Sequence, residues 1–361
     1  MLETSSVDRA AYEARTWQRT PLAGDAEPGN AFAHYAAAAA AGQASEVSPK
    51  DGSLAAALRA SHDDPRVDLS AWSEPLEWLR RGARADTAKP TADVDKGFAA
   101  NVQNLLHLRN LANAACATGR GEIFAGRAAE GIDHHLDALT LGIDLLRSPL
   151  LIDQMIGLAV TTIAVREGLA DDVLAHLPKA ELQRLATALA RADAQMPATM
   201  SPRHEALFAA YHLRNVAGNL ADALELSTWQ AWRHGFSTRA MVAEGWLRLH
   251  EHAKTMDHAA DAPWPTRSAM YEAAGEEARR SGNAFLAIVW PSFSSCEFNL
   301  RYAIAELRLL RLCVAERLGN RITLADPLDV GDLICNDGET AVTFHSVGKR
   351  HDQPIVRTVT K

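Results

Sequence analysis

The chain has 361 residues, 47% hydrophobic and 23% charged, and 37 basic against 45 acidic side chains give a formal net charge of -8. That composition excludes a wholly disordered chain, and the acidic balance without a basic tail or stripe excludes an evident nucleic-acid face. Aromatic residues are only 6%, so the apolar content is largely Ala and Leu, a helix-forming mixture.

Residues 1–30 read as loop, with Pro21, Gly24, Pro28 and Gly29. An Ala-rich helix is predicted over 31–41, with Phe32 and Tyr35 on one face and Gly42 as its end. Pro49, Gly52 and Pro65 surround a short helical piece at 54–60, and a further short helix is predicted over 72–81. Strong 3.6-residue periodicity covers 98–117, after which Gly119 and Gly121 predict a break. Further helices are predicted over 123–146, from Pro149 to about 167, and over 179–195. Others are expected over 201–226, 238–259, 266–280 and 292–318, with Gly319 and Asn320 ending the last. Beyond it, β-branched runs around the turn Asn336-Asp337-Gly338 predict a small two- or three-stranded unit.

These elements predict an all-α fold, an irregular array of antiparallel helix pairs of bundle or α-solenoid type, with a small C-terminal β-hairpin appendage. The expected division is an irregular N-terminal segment at 1–90, a helical body at 91–320 and a β tail at 321–361. Because the periodic core ends near Leu318, the tail is expected to be dispensable for folding. Arginines such as Arg301, Arg308 and Arg311 are scattered along helices and read as a solvated face. Cys116 and Cys313 sit in apolar runs and read as buried thiols, and none of the four cysteines forms a CxxC pair.

No apolar run reaches the roughly 18 residues of a transmembrane helix. The best candidate, 150–165, is interrupted by Asp153 and Gln154. The first nineteen residues hold three acidic side chains and no apolar core, unlike a secretory signal. As written the chain reads as soluble and cytoplasmic; an upstream start would leave an envelope location open.

Three histidine segments are candidates for metal or acid–base chemistry. His134 lies in Asp133-His134-His135 with Asp137; His204 and His212 lie two turns apart; His250 and His258 are spaced to share a helix face. None carries the His-Glu-x-x-His spacing of a zinc protease, and no nucleophile elbow, Walker loop or dinucleotide fingerprint is present. Trp229, Trp232 and Trp246 cluster in sequence, and a hydrophobic ligand groove is the functional reading of that cluster. No cofactor is strongly implied.

The tail carries a resemblance. Asp326-Pro327-Leu328 is followed by Asn336-Asp337-Gly338, then Phe344-His345-Ser346-Val347-Gly348 and Asp352. This pattern resembles the C-terminus of an uncharacterised bacterial helical protein family of planctomycete and myxobacterial type, and is similar to the end of type II secretion pseudopilins. The resemblance departs at Leu328, where an aromatic residue is usual, at a displaced Gly331 and at Lys349-Arg350-His351; the pseudopilin N-terminal helix is absent. It implies a fold without an activity, a link to the envelope or secretion, and a calcium-binding loop into which Asp326, Asp329 and Asp332 would fall.

The expected function is therefore that of a non-enzymatic helical scaffold or binding protein whose partner is another protein. The alternatives are a metal-dependent hydrolase, with His and carboxylate residues converging from several helices, and a regulator that binds a small hydrophobic ligand.

Overall fold

The computed structural model describes residues 15–46, 69–90, 102–148, 150–200, 228–283, 286, 290–350 and 353–360. The described chain is mostly helical, with a three-stranded sheet at its C-terminal end, in line with the expected class. Helices α1 (Ala31–Glu46) and α2 (Ser73–Arg84, entered through a 3-10 turn at Ser70–Trp72) pack on each other beside a small sheet. That sheet, which the loop reading of 1–30 did not foresee, joins β1 (Trp17–Gln18), β2 (Glu27–Asn30) and β3 (Ala85–Ala88) in the order β1-β3-β2. Asn30 caps α1, its Oδ1 accepting the Phe32 N–H at 3.3 Å.

Next come α3 (Val102–Phe124), α4 (Ala128–Arg147) and α5 (Leu151–Thr162), the last running on into a π-helical turn at Ile163–Gly168. A short α6 (Asp171–Ala175) and α7 (Lys179–Gln195) follow, then α8 (Thr228–His258), α9 (Trp264–Arg280) and α10 (Pro291–Arg317). Strands β4 (Ile334–Asp337), β5 (Ala341–Arg350) and β6 (Gln353–Thr360) pair antiparallel in the order β4-β5-β6. The helices predicted at 54–60 and 201–226 lie outside the described residues.

The predicted ends at glycine need correction. Helix α1 runs through Gly42, and α3 runs through Gly119 and Gly121 to Phe124. Gly42 and Gly119 are contact points. A Cβ on Gly119 would stand 2.6 Å from the Gly131 carbonyl oxygen, and one on Gly131 would stand 2.5 Å from the Gly119 oxygen. The two helix backbones meet there with no room for a side chain. The chain turns between α3 and α4 at Gly126, whose φ of 84° suits glycine. Gly319 does end α10, with φ 74°.

Helix α4 is the centre of the fold. It packs on α2, α3, α5 and α7, and every residue from His135 to Leu146 is buried. A helix buried on all sides must satisfy its polar groups internally. Asp144 does so with Arg19, whose Nη2 lies 2.9 Å from Oδ2, and with the Tyr35 hydroxyl, which donates at 2.6 Å. Asp137 accepts from Arg80 Nε at 3.2 Å, and Thr140 donates to the Leu136 carbonyl. A second, smaller apolar cluster joins α8, α9 and the start of α10 around Tyr271, Trp290 and Phe293.

Buried residues on both sides of the expected boundaries at 90/91 and 320/321 belong to one contiguous apolar core. Val342, Phe344, Ile355 and Val359 of the C-terminal sheet pack into it. Arg357 pairs with Glu306 of α10 and donates to the Val165 and Leu169 carbonyls of the π-helical turn. The tail is part of the body, a correction to the reading of a dispensable appendage. The solvated-arginine reading is corrected too: Arg301 is buried against Glu297, and Arg308 and Arg311 clamp Asp193 of α7. No helix among the described residues is long and apolar enough to cross a membrane.

Candidate functional site

The sequence-predicted residues are dispersed. His134 is half-buried on α4, its Nε2 3.5 Å from Arg80 Nη2, and burial together with the Arg80 charge pushes its pKa down to about 4. His250 is buried on α8 and stacks on Trp246, ring centroids 5.3 Å apart at 15°. His258 ends the same helix and is exposed, so the two do not share an environment. His204 and His212 lie outside the described residues. Among the described residues no group of three His, Cys, Asp or Glu side chains is disposed to hold a metal ion; His134 and His250 are placed by helix packing, and His258 is exposed at the end of α8.

Of the tryptophan cluster, Trp246 is buried to 2% exposure and offers a ligand no open face. Trp229 and Trp232 are on α8, and their side chains lie outside the described ones. In the tail, the Asp326 carboxylate accepts the Ser346 hydroxyl at 2.7 and 2.9 Å, the Val347 N–H at 2.8 Å and the Leu328 N–H at 3.0 Å. Asp329 is half-buried and Asp332 exposed. The carboxylate is occupied by the tail's own donors, which corrects its reading as a cation ligand; Asp352 lies outside the described residues. The matched residues Asp326, Ser346 and Gly348 work together. A Cβ on Gly348 would stand 2.4 Å from Leu328 Cδ1, so the aspartate turn and strand β5 close on each other only with glycine there. The predicted buried thiols Cys116 and Cys313 are both buried.

Among the described residues, clefts open between helices, and two of them gather polar side chains. The larger, about 490 Å³, lies between α2, α3 and the α3–α4 turn and is lined by Ser70, Ser73, Thr118, Arg80, Arg127 and His134. Its charges are already paired: Arg80 with Asp137, Arg127 with Glu122, and the Glu77 at its edge with Arg81. Its lining is of mixed polarity, and its arginines already have carboxylate partners.

The smaller cleft, about 310 Å³, runs between α5 with its π-helical turn and α10. Met155, Leu158 and Ile163 form an apolar wall; Asn299 and Tyr302 face it from α10; Arg109 of α3 and Glu167 of the turn are charged groups at its edge. The α10 wall is rigid. Tyr302 donates to Glu306 Oε1 at 2.8 Å and accepts from Arg166 Nη1 at 2.8 Å. The π-helical turn that presents Glu167 is held from three sides. Leu169 N–H bonds the Ala164 carbonyl, Arg357 takes the Val165 and Leu169 carbonyls, and Gly168 lies so close to His135 that a Cβ would stand 2.6 Å from Nδ1. Such turns interrupt α-helices mostly where something other than helix continuation is served. Arg109 and Glu167 make no ion pair or hydrogen bond among the described residues, in contrast to the arginines that link helices elsewhere. Sequence reading missed both, because 58 positions separate them and nothing in either segment marks the turn.

A volume near the lower end of the few hundred to about 1,000 Å³ of ligand sites suits a small molecule. The arrangement offers one cation, one anion and an apolar wall, a set suited to binding rather than to bond breaking. Comparison with models of protein families, with curated proteins and with solved structures finds no match, so the cleft's own geometry is what any functional reading stands on.

Proposed function

We propose that this chain is a non-enzymatic binding protein, a helical array of bundle type that presents the α5/α10 cleft to a small ligand. The supporting observation is the pair Arg109 and Glu167. Elsewhere in the described body, charges between helices hold helices together; these two edge the cleft and make no ion pair or hydrogen bond among the described residues. Charged groups kept at a concave apolar site provide orientation for a ligand.

The test is a thermal-shift measurement with a low-mass metabolite fraction from cells of the source organism. Wild type should gain stability, since a ligand that binds only the folded state raises its melting temperature. The variant Ala159→Trp, which fills the cleft, should not respond. No shift in wild type, or an equal shift in both proteins, would overturn the reading.

A protein partner is the second reading, and the outer face of the C-terminal sheet favours it. Ile334 and Val356 flank His345 in register across β4, β5 and β6 and are 40% and 45% exposed. Ile334→Asp combined with Val356→Asp should abolish a specific complex while leaving the melting temperature within a few degrees; retention of the complex would count against this face.

A further inference from the structure

The α5/α10 cleft has a polarity that narrows the ligand. We infer that it takes a small zwitterion with an apolar side chain, of the chemical class of the aliphatic and aromatic α-amino acids; the inference rests on the binding reading above. A free α-amino acid carries a carboxylate and an ammonium group a few bonds apart and one side chain. The cleft carries one guanidinium, one carboxylate and one apolar wall.

The pairing follows from the chemistry of each group. The Arg109 guanidinium is a planar fork of donors that matches a carboxylate with two parallel hydrogen bonds. The Glu167 carboxylate accepts from an ammonium. These two side chains do not pair with each other, so a ligand need not break an existing ion pair to reach either. Asn299 adds an acceptor: its Nδ2 is tied to the Ser295 carbonyl at 2.8 Å, which fixes the amide plane and leaves Oδ1 available. The side chain would lie on Leu158, Ile163 and Met155, the last 48% exposed despite its size. A purely anionic ligand would leave Glu167 opposed, and a purely cationic one would leave Arg109 opposed. A purely apolar one would cover both charges without a partner, which costs free energy.

The order of chain elements makes the site one of fixed dimensions. Glu167 is placed by the π-helical turn, whose carbonyls Arg357 holds from β6, and the opposite wall is tied to that turn by the Arg166–Tyr302 hydrogen bond.

The test is isothermal titration of the full chain with L-leucine, L-methionine and L-phenylalanine, alongside 4-methylpentanoate, which lacks the ammonium, and leucinamide, which lacks the carboxylate. At least one amino acid should bind saturably at one site, and both truncated analogues should bind it roughly tenfold more weakly or worse, the loss expected for one charged hydrogen-bonding partner. Arg109→Gln should weaken leucine about tenfold and leave leucinamide unchanged; Glu167→Gln should weaken leucine and leave 4-methylpentanoate unchanged. Both residues are exposed, so unaltered melting temperatures keep the comparison clean. Absence of saturable binding for all three amino acids at millimolar concentration would overturn the inference, as would variants that bind leucine like wild type. If the metabolite fraction stabilises wild type but not Ala159→Trp while no amino acid binds, the ligand class fails and the binding reading stands.

Discussion

Arg19, just after β1, reaches across 125 positions of sequence to place its Nη2 2.9 Å from Asp144 Oδ2, in the last turn of the central helix α4. The same guanidinium donates to the carbonyls of Gly82, Ala83 and Ala85 at the end of α2, and Tyr35 donates to the same carboxylate oxygen. One buried side chain thus closes a helix terminus and neutralises a carboxylate on another element. Arg267 repeats the device, donating to the Met256 and Ala259 carbonyls at the end of α8 while pairing with Glu297 of α10.

Removing one partner of such a pair leaves the other charge buried. Arg19→Met is expected to destabilise the protein by about 3–5 kcal/mol. Arg81→Ala breaks a pair whose side chains are both about half exposed and should cost no more than about 0.5 kcal/mol. Urea unfolding of the two variants checks the contrast; equal losses would deny Arg19 its structural role.

The same substitution at two helical glycines should act with opposite sign. Gly131→Ala puts a Cβ 2.5 Å from the Gly119 carbonyl oxygen, and separating α3 from α4 should cost roughly 1–3 kcal/mol more than the better helix propensity returns. At Gly275 the nearest atom to an added Cβ is Trp290 Cδ1 at 3.4 Å. Alanine there should stabilise by roughly 0.5–1 kcal/mol. Thermal unfolding of both variants decides the matter.

Deletion of residues 322–361 should abolish cooperative unfolding, because it strips Val342, Phe344, Ile355 and Val359 from the common core and removes Arg357 from Glu306. A milder change isolates the aspartate turn: Ser346→Ala takes one donor from the buried Asp326 carboxylate and should cost about 1–3 kcal/mol. Hydrogen exchange read by mass spectrometry should show faster exchange in β5 in that variant. A truncated chain that still melts cooperatively would restore the appendage reading.

His135 sets an acid limit. Its ring lies between Gly119 and Gly168, neither nitrogen has a hydrogen-bond partner among the described residues, and burial pushes its pKa down from 6.5 to about 3. The folded protein therefore resists a proton that the unfolded chain accepts. This contribution is intact above about pH 6.5 and is lost as pH falls from 6.5 towards 3. Asp137 and Asp153 act in the other direction: burial raises both from 3.8 to about 6, so their contribution strengthens as pH falls through 6. Stability of His135→Asn should fall less steeply than wild type between pH 6.5 and 4, whatever its value at neutral pH. Parallel profiles would show that the imidazole is not the group being titrated.

Helix content, the length of most helices and the β character of the tail were legible in the sequence because they are local. Apolar spacing of 3.6 residues, the β-branched runs of the tail and the left-handed Gly319 act within a few positions of themselves; the turn expected at Asn336-Asp337-Gly338 falls at 338–340, with Asn336 and Asp337 paired in β4. Glycine inside a helical run is ambiguous at that range, since it serves equally as a stop and as a contact point. Only the approach of α4 to α3 makes Gly119 interior rather than terminal. The arginines are ambiguous for the same reason. Arg301, Arg308 and Arg311 have the spacing of a solvated face, and what buries or engages them is a carboxylate or carbonyl supplied by the packing. The candidate cleft was not legible at all, because Arg109, Glu167 and Tyr302 come from three helices and have no local signature. Periodicity and turn chemistry determined which segments become helices and strands. Tertiary structure decided which polar groups are buried, which are paired and which are left at the edge of a cleft, because those outcomes depend on the distance between elements far apart in the chain.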